Sequence, residues 1–250
     1  MPARYVGRFA PSPTGPLHLG SLVAGLASYL DARAAGGRWL LRIEDLDPPR
    51  EQPGADQAII RTLAAYGFEW DESPLWQHDR HGAYAAALDA LEAAGYTYPC
   101  TCARKSFTGS YPGRCRWRRF AETPAPFATR VRVPEGRAVF DDRFLGTQLT
   151  PWADVGDFIV RRKDGLFAYQ LAVVVDDAAN GITHVVRGND LLDSTPRQLA
   201  LFAALGRDAP EFGHCAMVVH ADGAKLSKQT AAPALNDQDP GPALLTALRC

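Results

Sequence analysis

Apolar and polar positions alternate between two periods along the first third of the chain. Residues 5–9 read as a short strand, and a turn punctuated by Pro and Gly at positions 10–16 hands it to residues 19–35, where Ala and Leu recur at helical spacing. Residues 39–43 predict a second strand, and apolar residues three and four apart predict helices over 55–66 and 83–94. Strand, helix, strand, helix implies a parallel sheet with right-handed crossovers. The pattern is lost from Tyr96 to about Pro151. It resumes with strands over 157–161 and 170–175, the second so continuously apolar that it belongs at the centre of the sheet. A strand over 184–187, a helix over 195–205 with Pro196 in its first turn, a strand over 216–219 and a helix near 244–250 complete the expectation. The expected organisation is an α/β core whose first half is 1–95 and second half 152–250, with a subdomain inserted at 96–151.

Composition narrows the class. With 27 basic and 28 acidic side chains in 250 residues the net charge is −1, which makes no case for disorder or a polybasic tail. No apolar run approaches the length of a membrane span, and the first residues lack the basic-then-apolar layout of a secretory signal, so a cytoplasmic enzyme is expected. Three of the five cysteines, Cys100, Cys102 and Cys115, crowd the stretch without periodicity. An odd, clustered set argues against a disulfide framework and for a metal site, with buried thiols or a redox pair as alternatives.

Two further motifs carry candidate chemistry. In Arg8-Phe9-Ala10-Pro11-Ser12-Pro13-Thr14-Gly15-Pro16-Leu17-His18-Leu19-Gly20-Ser21, the glycines allow close backbone approach, and the helix start after His18 offers N–H groups and a positive dipole end to phosphate. It is neither a dinucleotide fingerprint nor a P-loop, and on spacing alone it is a nucleotide cradle or an ordinary Pro/Gly turn. Lys225-Leu226-Ser227-Lys228 can clamp a polyphosphate or be a solvated loop. Arg104, Lys105, Arg114, Arg116, Arg118 and Arg119, with no acid until Glu122, interleave with Tyr111, Trp117 and Phe120 around the cysteines. That mixture suits RNA, arginine for phosphate and aromatics for unstacked bases, or is a solvated arginine-rich loop.

Taken together, H-L-G-S and K-L-S-K resemble the paired signatures of class I aminoacyl-tRNA synthetases. Arg8 to Gly15, Leu41-Arg-Ile-Glu-Asp-Leu-Asp-Pro48, Tyr169-Gln-Leu-Ala-Val-Val-Val-Asp-Asp177 and Val186-Arg-Gly-Asn-Asp-Leu191 are similar to the glutamate-specific branch. The Cys-x-Cys…Tyr-x-x-x-Cys insert is similar to the glutamyl-Q tRNA(Asp) synthetase family within it. The resemblance implies a Rossmann-like core with a zinc-binding insert. It implies ATP-dependent activation of L-glutamate and transfer to queuosine in the anticodon of tRNA(Asp). Arg8, Phe9, Ala10, Pro11, Ser12, Glu44, Tyr169 and Arg187 would bind glutamate. His18, Gly20, Ser21 and Lys228 would bind ATP with Mg2+, and His18, Lys228 and Lys225 would act on the phosphates. Cys100, Cys102, Cys115 and Tyr111 would hold one structural Zn2+. By the resemblance the signature's final serine is replaced by Gln229, with Lys228 kept. Only about twenty residues follow Lys228, which favours this family over a synthetase charging the 3′ end of tRNA(Glu), and the intact His18, Lys228, Glu44 and Arg187 favour it over a non-catalytic paralogue that binds RNA or glutamate. A monomer is expected.

Overall fold

A computed structural model describes residues 5–216 and 233–250. Packing divides the chain into two units, the first drawn from Met1–His78, Ile182–Leu192 and Pro210–Cys250, the second from Asp79–Gly181 and Asp193–Ala209.

In the first unit, β1 (Val6–Phe9), α1 (Leu19–Ala34), β2 (Arg38–Ile43), α2 (Ala55–Ala65) and β3 (Leu75–Trp76) follow the expected alternation. β1 runs parallel to β2 with Val6 opposite Arg38, and β2 parallel to β3 with Arg42 opposite Leu75. Ala35 caps the end of α1, and the chain turns back through Gly36 and Gly37. A Cβ on Gly37 would stand 2.4 Å from the Tyr5 carbonyl oxygen, so this return to β2 requires glycine. Trp39, Ile43, Ile59 and Leu63 form the centre of the core. Tyr29 meets the Trp39 ring edge-on at 5.0 Å and Phe68 stacks on it at 5.5 Å. β9 (His184–Gly188) and β10 (Glu211–Cys215) pair in parallel, and the Thr183 N–H donates to the Val6 carbonyl, tying the start of β9 to β1. α7 (Gly241–Ala247) packs its Ala247 and Leu244 into the same core.

The second unit holds α3 (His81–Ala93), β4 (Thr97–Cys100), β5 (Ala128–Val131), β6 (Arg137–Asp142), β7 (Gly146–Pro151), α4 (Trp152–Val155), β8 (Phe158–Arg161), α5 (Tyr169–Ala179) and α6 (Thr195–Ala204). β4, β5 and β8 make an antiparallel sheet, and β6 and β7 an antiparallel hairpin.

Two sequence expectations change, and a third lies almost wholly outside the described residues. The run over 170–175 lies within helix α5, with Leu171, Ala172, Val173 and Val174 fully buried. A continuous apolar run fits a helix buried on all sides as well as a central strand, and periodicity cannot separate them. The strand near 157 is β8, but it pairs antiparallel with β5 and is no part of the parallel sheet. The strand expected over 216–219 has only Ala216 among the described residues, outside any strand; β10 precedes it. Among the described residues no helix is long and apolar enough to cross a membrane.

Candidate active site and metal centre

The turn after β1 is laced to the segment after β2 by backbone hydrogen bonds. Glu44 N–H donates to the Pro11 carbonyl at 3.0 Å and Gln52 N–H to the Pro13 carbonyl at 2.9 Å. The prolines remove donors and fix φ, so the turn keeps one path with few internal bonds. It delivers His18 to the N-cap of α1, where Nδ1 accepts the Ser21 N–H at 3.3 Å. Accepting there leaves the proton on Nε2, which makes the imidazole a donor on its far edge. The first turn of α1 carries no acidic residue, so its positive end is kept for an anion. Gly20 and Ser21 are half-buried in that turn. Phe9, expected in the substrate site, is half-buried; its ring stacks on Trp39 at 6.3 Å and lies against Gly25.

Each of the four strands β1, β2, β9 and β10 carries a buried basic side chain at its penultimate position. They are Arg8 (5 % exposed), Arg42 (2 %), Arg187 (4 %) and His214 (0 %). Glu44, its side chain only 8 % exposed, pairs with Arg42 at 3.1 Å. Arg187 donates from Nε to His214 Nε2 at 3.0 Å and from Nη2 to the Leu191 carbonyl at 3.3 Å, its guanidinium 5.1 Å from the Phe212 ring centroid. His214 therefore fixes Arg187 while accepting, in its neutral form. Sequence reasoning missed Arg42 and His214. The shared penultimate position would have marked both, had the last strand been placed over 211–215. Asp45, beside Glu44, binds both the N–H and the Nδ1 of His78. Tyr169 opens α5 in the second unit, half-buried, next to Gln170, which donates to Ser194 Oγ at 3.0 Å. Lys225 and Lys228 lie outside the described residues.

In the second unit, Cys100 ends β4, and a loop returns Cys102, Tyr111 and Cys115 to it. The three sulfurs lie within 4.8 Å of one another. Cys102 and Cys115 Sγ are 3.6 Å apart, and Tyr111 Oη is 3.4 Å from Cys100 Sγ and 3.6 Å from Cys102 Sγ. A tetrahedral site with metal–sulfur bonds near 2.3 Å needs ligand separations of about 3.5–3.8 Å, so these donors fit a metal ion. The Cys115 N–H donates to Tyr111 Oη at 2.9 Å, and the Arg130 guanidinium lies 3.9 Å over the Tyr111 ring. Burial and the adjoining sulfurs push the Tyr111 hydroxyl well above its ordinary value. A bound cation reverses that order by favouring the phenolate. Burial opposes ionisation of Cys100, yet hydrogen bonds from Tyr111 and Arg130 outweigh it and lower its thiol. Burial raises Cys102.

Asp157 anchors the segments around this cluster. Its carboxylate, 2 % exposed, accepts from Tyr98 Oη at 2.6 Å, from Arg116 Nε and Nη2 at 2.7 Å each, and from Val133 N–H at 2.9 Å. Arg130 Nη1 donates to its backbone carbonyl at 2.8 Å.

The family model for the catalytic domain of class I tRNA synthetases (E and Q) matches residues 5–109 and 115–240. A glutamyl-Q tRNA(Asp) synthetase of Pseudomonas fluorescens is 55 % identical over 98 % of this chain and 83 % of its own length. One of Cupriavidus metallidurans is 56 % identical over 99 % of this chain and 84 % of its own. Among solved structures, a glutamate tRNA ligase from Elizabethkingia meningosepticum, in complex with its amino acid, superposes with a TM-score of 0.81 at 30 % identity. It matches 90 % of this chain, which spans about half (52 %) of that ligase.

Proposed function

The chain belongs to the class I tRNA synthetases of the glutamate and glutamine type, a ligase within the glutamyl-Q tRNA(Asp) synthetase family, and from that premise we propose that it activates L-glutamate with ATP, without tRNA, and transfers it to the queuosine base at the anticodon wobble position of tRNA(Asp). The observation that carries the reading is the row of buried basic side chains at the strand ends, in the same unit as the N-terminus of α1. Carboxyl ends of parallel strands are where α/β folds bind ligands, and a dicarboxylate substrate beside a polyphosphate calls for the guanidinium charge of Arg8 and of Arg187, the latter held by neutral His214.

In the first step a carboxylate oxygen of glutamate attacks the α-phosphorus of ATP in line, giving glutamyl-adenylate and pyrophosphate. No protein nucleophile is required, so catalysis is positioning and stabilisation of phosphate charge. Arg8 and Arg187 bind carboxylate, and Glu44, held by Arg42, faces the ammonium. By the resemblance, Tyr169 contributes its hydroxyl, and Ala10, Pro11 and Ser12 line the glutamate site. His18 donates from Nε2 to phosphate, beside Gly20 and Ser21. Lys228, with Lys225, meets the departing pyrophosphate. Mg2+, bound with ATP, neutralises phosphate oxygens. In the second step a hydroxyl of the modified base attacks the mixed anhydride and releases AMP. One Zn2+ held by Cys100, Cys102, Cys115 and Tyr111 orders the loop structurally. In functional terms the chain then divides into a first half of the catalytic core at 1–95, a zinc-bearing, acceptor-binding insert at 96–151 and the second half of the core at 152–250. ATP and tRNA place the reaction in the cytoplasm.

Glutamate-dependent exchange of pyrophosphate into ATP in the absence of tRNA tests the first step. Exchange with glutamate and none with glutamine is expected, and no exchange by zinc-replete protein defeats it. The likeness to a glutamate tRNA ligase favours a second reading, charging of the 3′ end of tRNA(Glu). Label recovered on the terminal adenosine would establish that instead.

A further inference from the structure

The sequence placed three aromatic residues among the arginines of the cysteine-bearing loop, and the structure separates them. Tyr111 is buried among the sulfurs under Arg130. Phe120 is half-buried against Phe127, with ring centroids 5.7 Å apart. Trp117 alone of the three points into solvent, 91 % exposed, the highest value of any large apolar side chain among the described residues. A single exposed apolar side chain is ordinary. Trp117, however, borders a surface cavity of about 610 Å3 that a second indole, Trp152, also lines, with Tyr111, Gly113, Arg116 and Asp157. That volume lies within the range of about 300–1,000 Å3 of sites for small organic groups. Arg116 is part of the cavity wall, pinned by its two 2.7 Å bonds to Asp157. Along the chain on either side stand Arg114, Arg118 and Arg119, all exposed. Arg114 and Arg118 each spend one Nη1 donor on the protein, at Ser106 O and Thr101 Oγ1, and Arg119 lies 3.7 Å from Glu122.

We infer that Trp117 and the cavity beside it form a stacking platform for one unpaired base of the RNA substrate, with the neighbouring arginines on its phosphates. The inference rests on the tRNA reading above and adds to it the site that grips a base outside the reaction centre. Every base has a π-face, so stacking on an indole is tolerant of sequence, and the arginines supply the charge that tracks the backbone. An unpaired base is what an anticodon loop offers and a duplex does not.

Binding is read directly, by fluorescence anisotropy of a labelled tRNA(Asp) anticodon stem-loop carrying queuosine, so turnover is not needed. Trp117→Ala is expected to weaken binding about 5- to 150-fold, the range for loss of one stacked base. Trp117→Phe, which keeps a stacking face, is expected to retain most of the affinity. The slope of log affinity against log salt should be the same in wild type and Trp117→Ala, because stacking releases no counterions. Unfolding midpoints of the variants serve as the fold control. Wild-type affinity in Trp117→Ala overturns the platform and leaves the proposed function standing. A wild type that binds no RNA overturns both the platform and the tRNA step, and pyrophosphate exchange by the same preparation reports separately on glutamate activation.

Discussion

His18 stands at the head of α1 because a turn laced by backbone hydrogen bonds delivers it there, over a core around Trp39 with thirteen buried residues among those described. Tyr111 stands among three sulfurs in a cluster of four buried residues, and the strands and loops around it meet at the carboxylate of Asp157. The first region gets its order from apolar burial, which is cooperative and independent of any ligand. The second has too small an apolar centre for that, and relies on polar crosslinks and on donors spaced for a metal. Chemistry on phosphate needs a fixed cradle. Under the proposed function the loop meets RNA with arginines and an aromatic outside, which leaves its order to bonds within the loop.

Chelation should separate the two regions most strongly, opening the second and leaving the first intact. Structural zinc sites supply on the order of 10 kcal/mol of apparent folding free energy. Cys115→Ala, or a strong chelator, is therefore expected to melt the loop, seen as loss of protection in hydrogen exchange over residues 100–120, with protection in α1 and β2 retained. Protection lost equally in both would erase the distinction.

Next in size, Asp157→Ala is expected to cost about 3–5 kcal/mol, because Tyr98 and Arg116 lose a buried partner. Leu63→Ala, in the core of the first region, should cost a similar 2–5 kcal/mol through a cavity. Urea unfolding with and without chelator separates them. The cost of Asp157→Ala should shrink once the metal is gone, since the loop it supports is already open, while the cost of Leu63→Ala should not change.

A smaller effect is expected at the cradle itself. His18→Ala should lose about 1 kcal/mol as the cap on Ser21 N–H disappears. His18→Asn should recover that stability without recovering pyrophosphate exchange, because its short amide caps the helix but does not extend Nε2–H toward phosphate. Stability and exchange returning together would make His18 a cap and nothing more.

The smallest effect is acid sensitivity in the first region. Burial pushes the Asp71 carboxyl up, yet hydrogen bonds from the Trp39 N–H and the Arg33 guanidinium prevail and hold it below the ordinary carboxylate value. A carboxyl lowered by folding stabilises above its unfolded value, and that share is lost as pH falls through the folded value. The unfolding midpoint should decline on acidification below about pH 4, and Asp71→Asn should flatten that decline.

Legibility from sequence follows the same divide. Periodicity located α1, α2 and α3, since each presents one apolar face to a core, while β2, buried from Trp39 to Ile43, read as a short apolar run. It failed at α5, where Leu171 to Val174 are buried on all sides and the period vanishes. In the second unit the metal donors were legible through cysteine spacing and the family resemblance, not through any pattern of burial. β4 and β5 were not legible, because β4 is four residues with a proline in it and β5 contains the buried Arg130. Asp157 read as the first residue of a strand, and nothing in its neighbours announces four hydrogen bonds to one carboxylate. His214 was hidden because Phe212-Gly213-His214-Cys215 lacks the apolar run that marks a strand.

By the proposed function, glutamate activated at the cradle ends on a modified anticodon base. Queuosine-containing tRNA(Asp), incubated with the protein, ATP and isotopically labelled glutamate and then digested to nucleosides, tests it by mass spectrometry. Labelled glutamyl-queuosine is the predicted product. Label confined to the terminal adenosine, or absent from all nucleosides while pyrophosphate exchange proceeds, would contradict it.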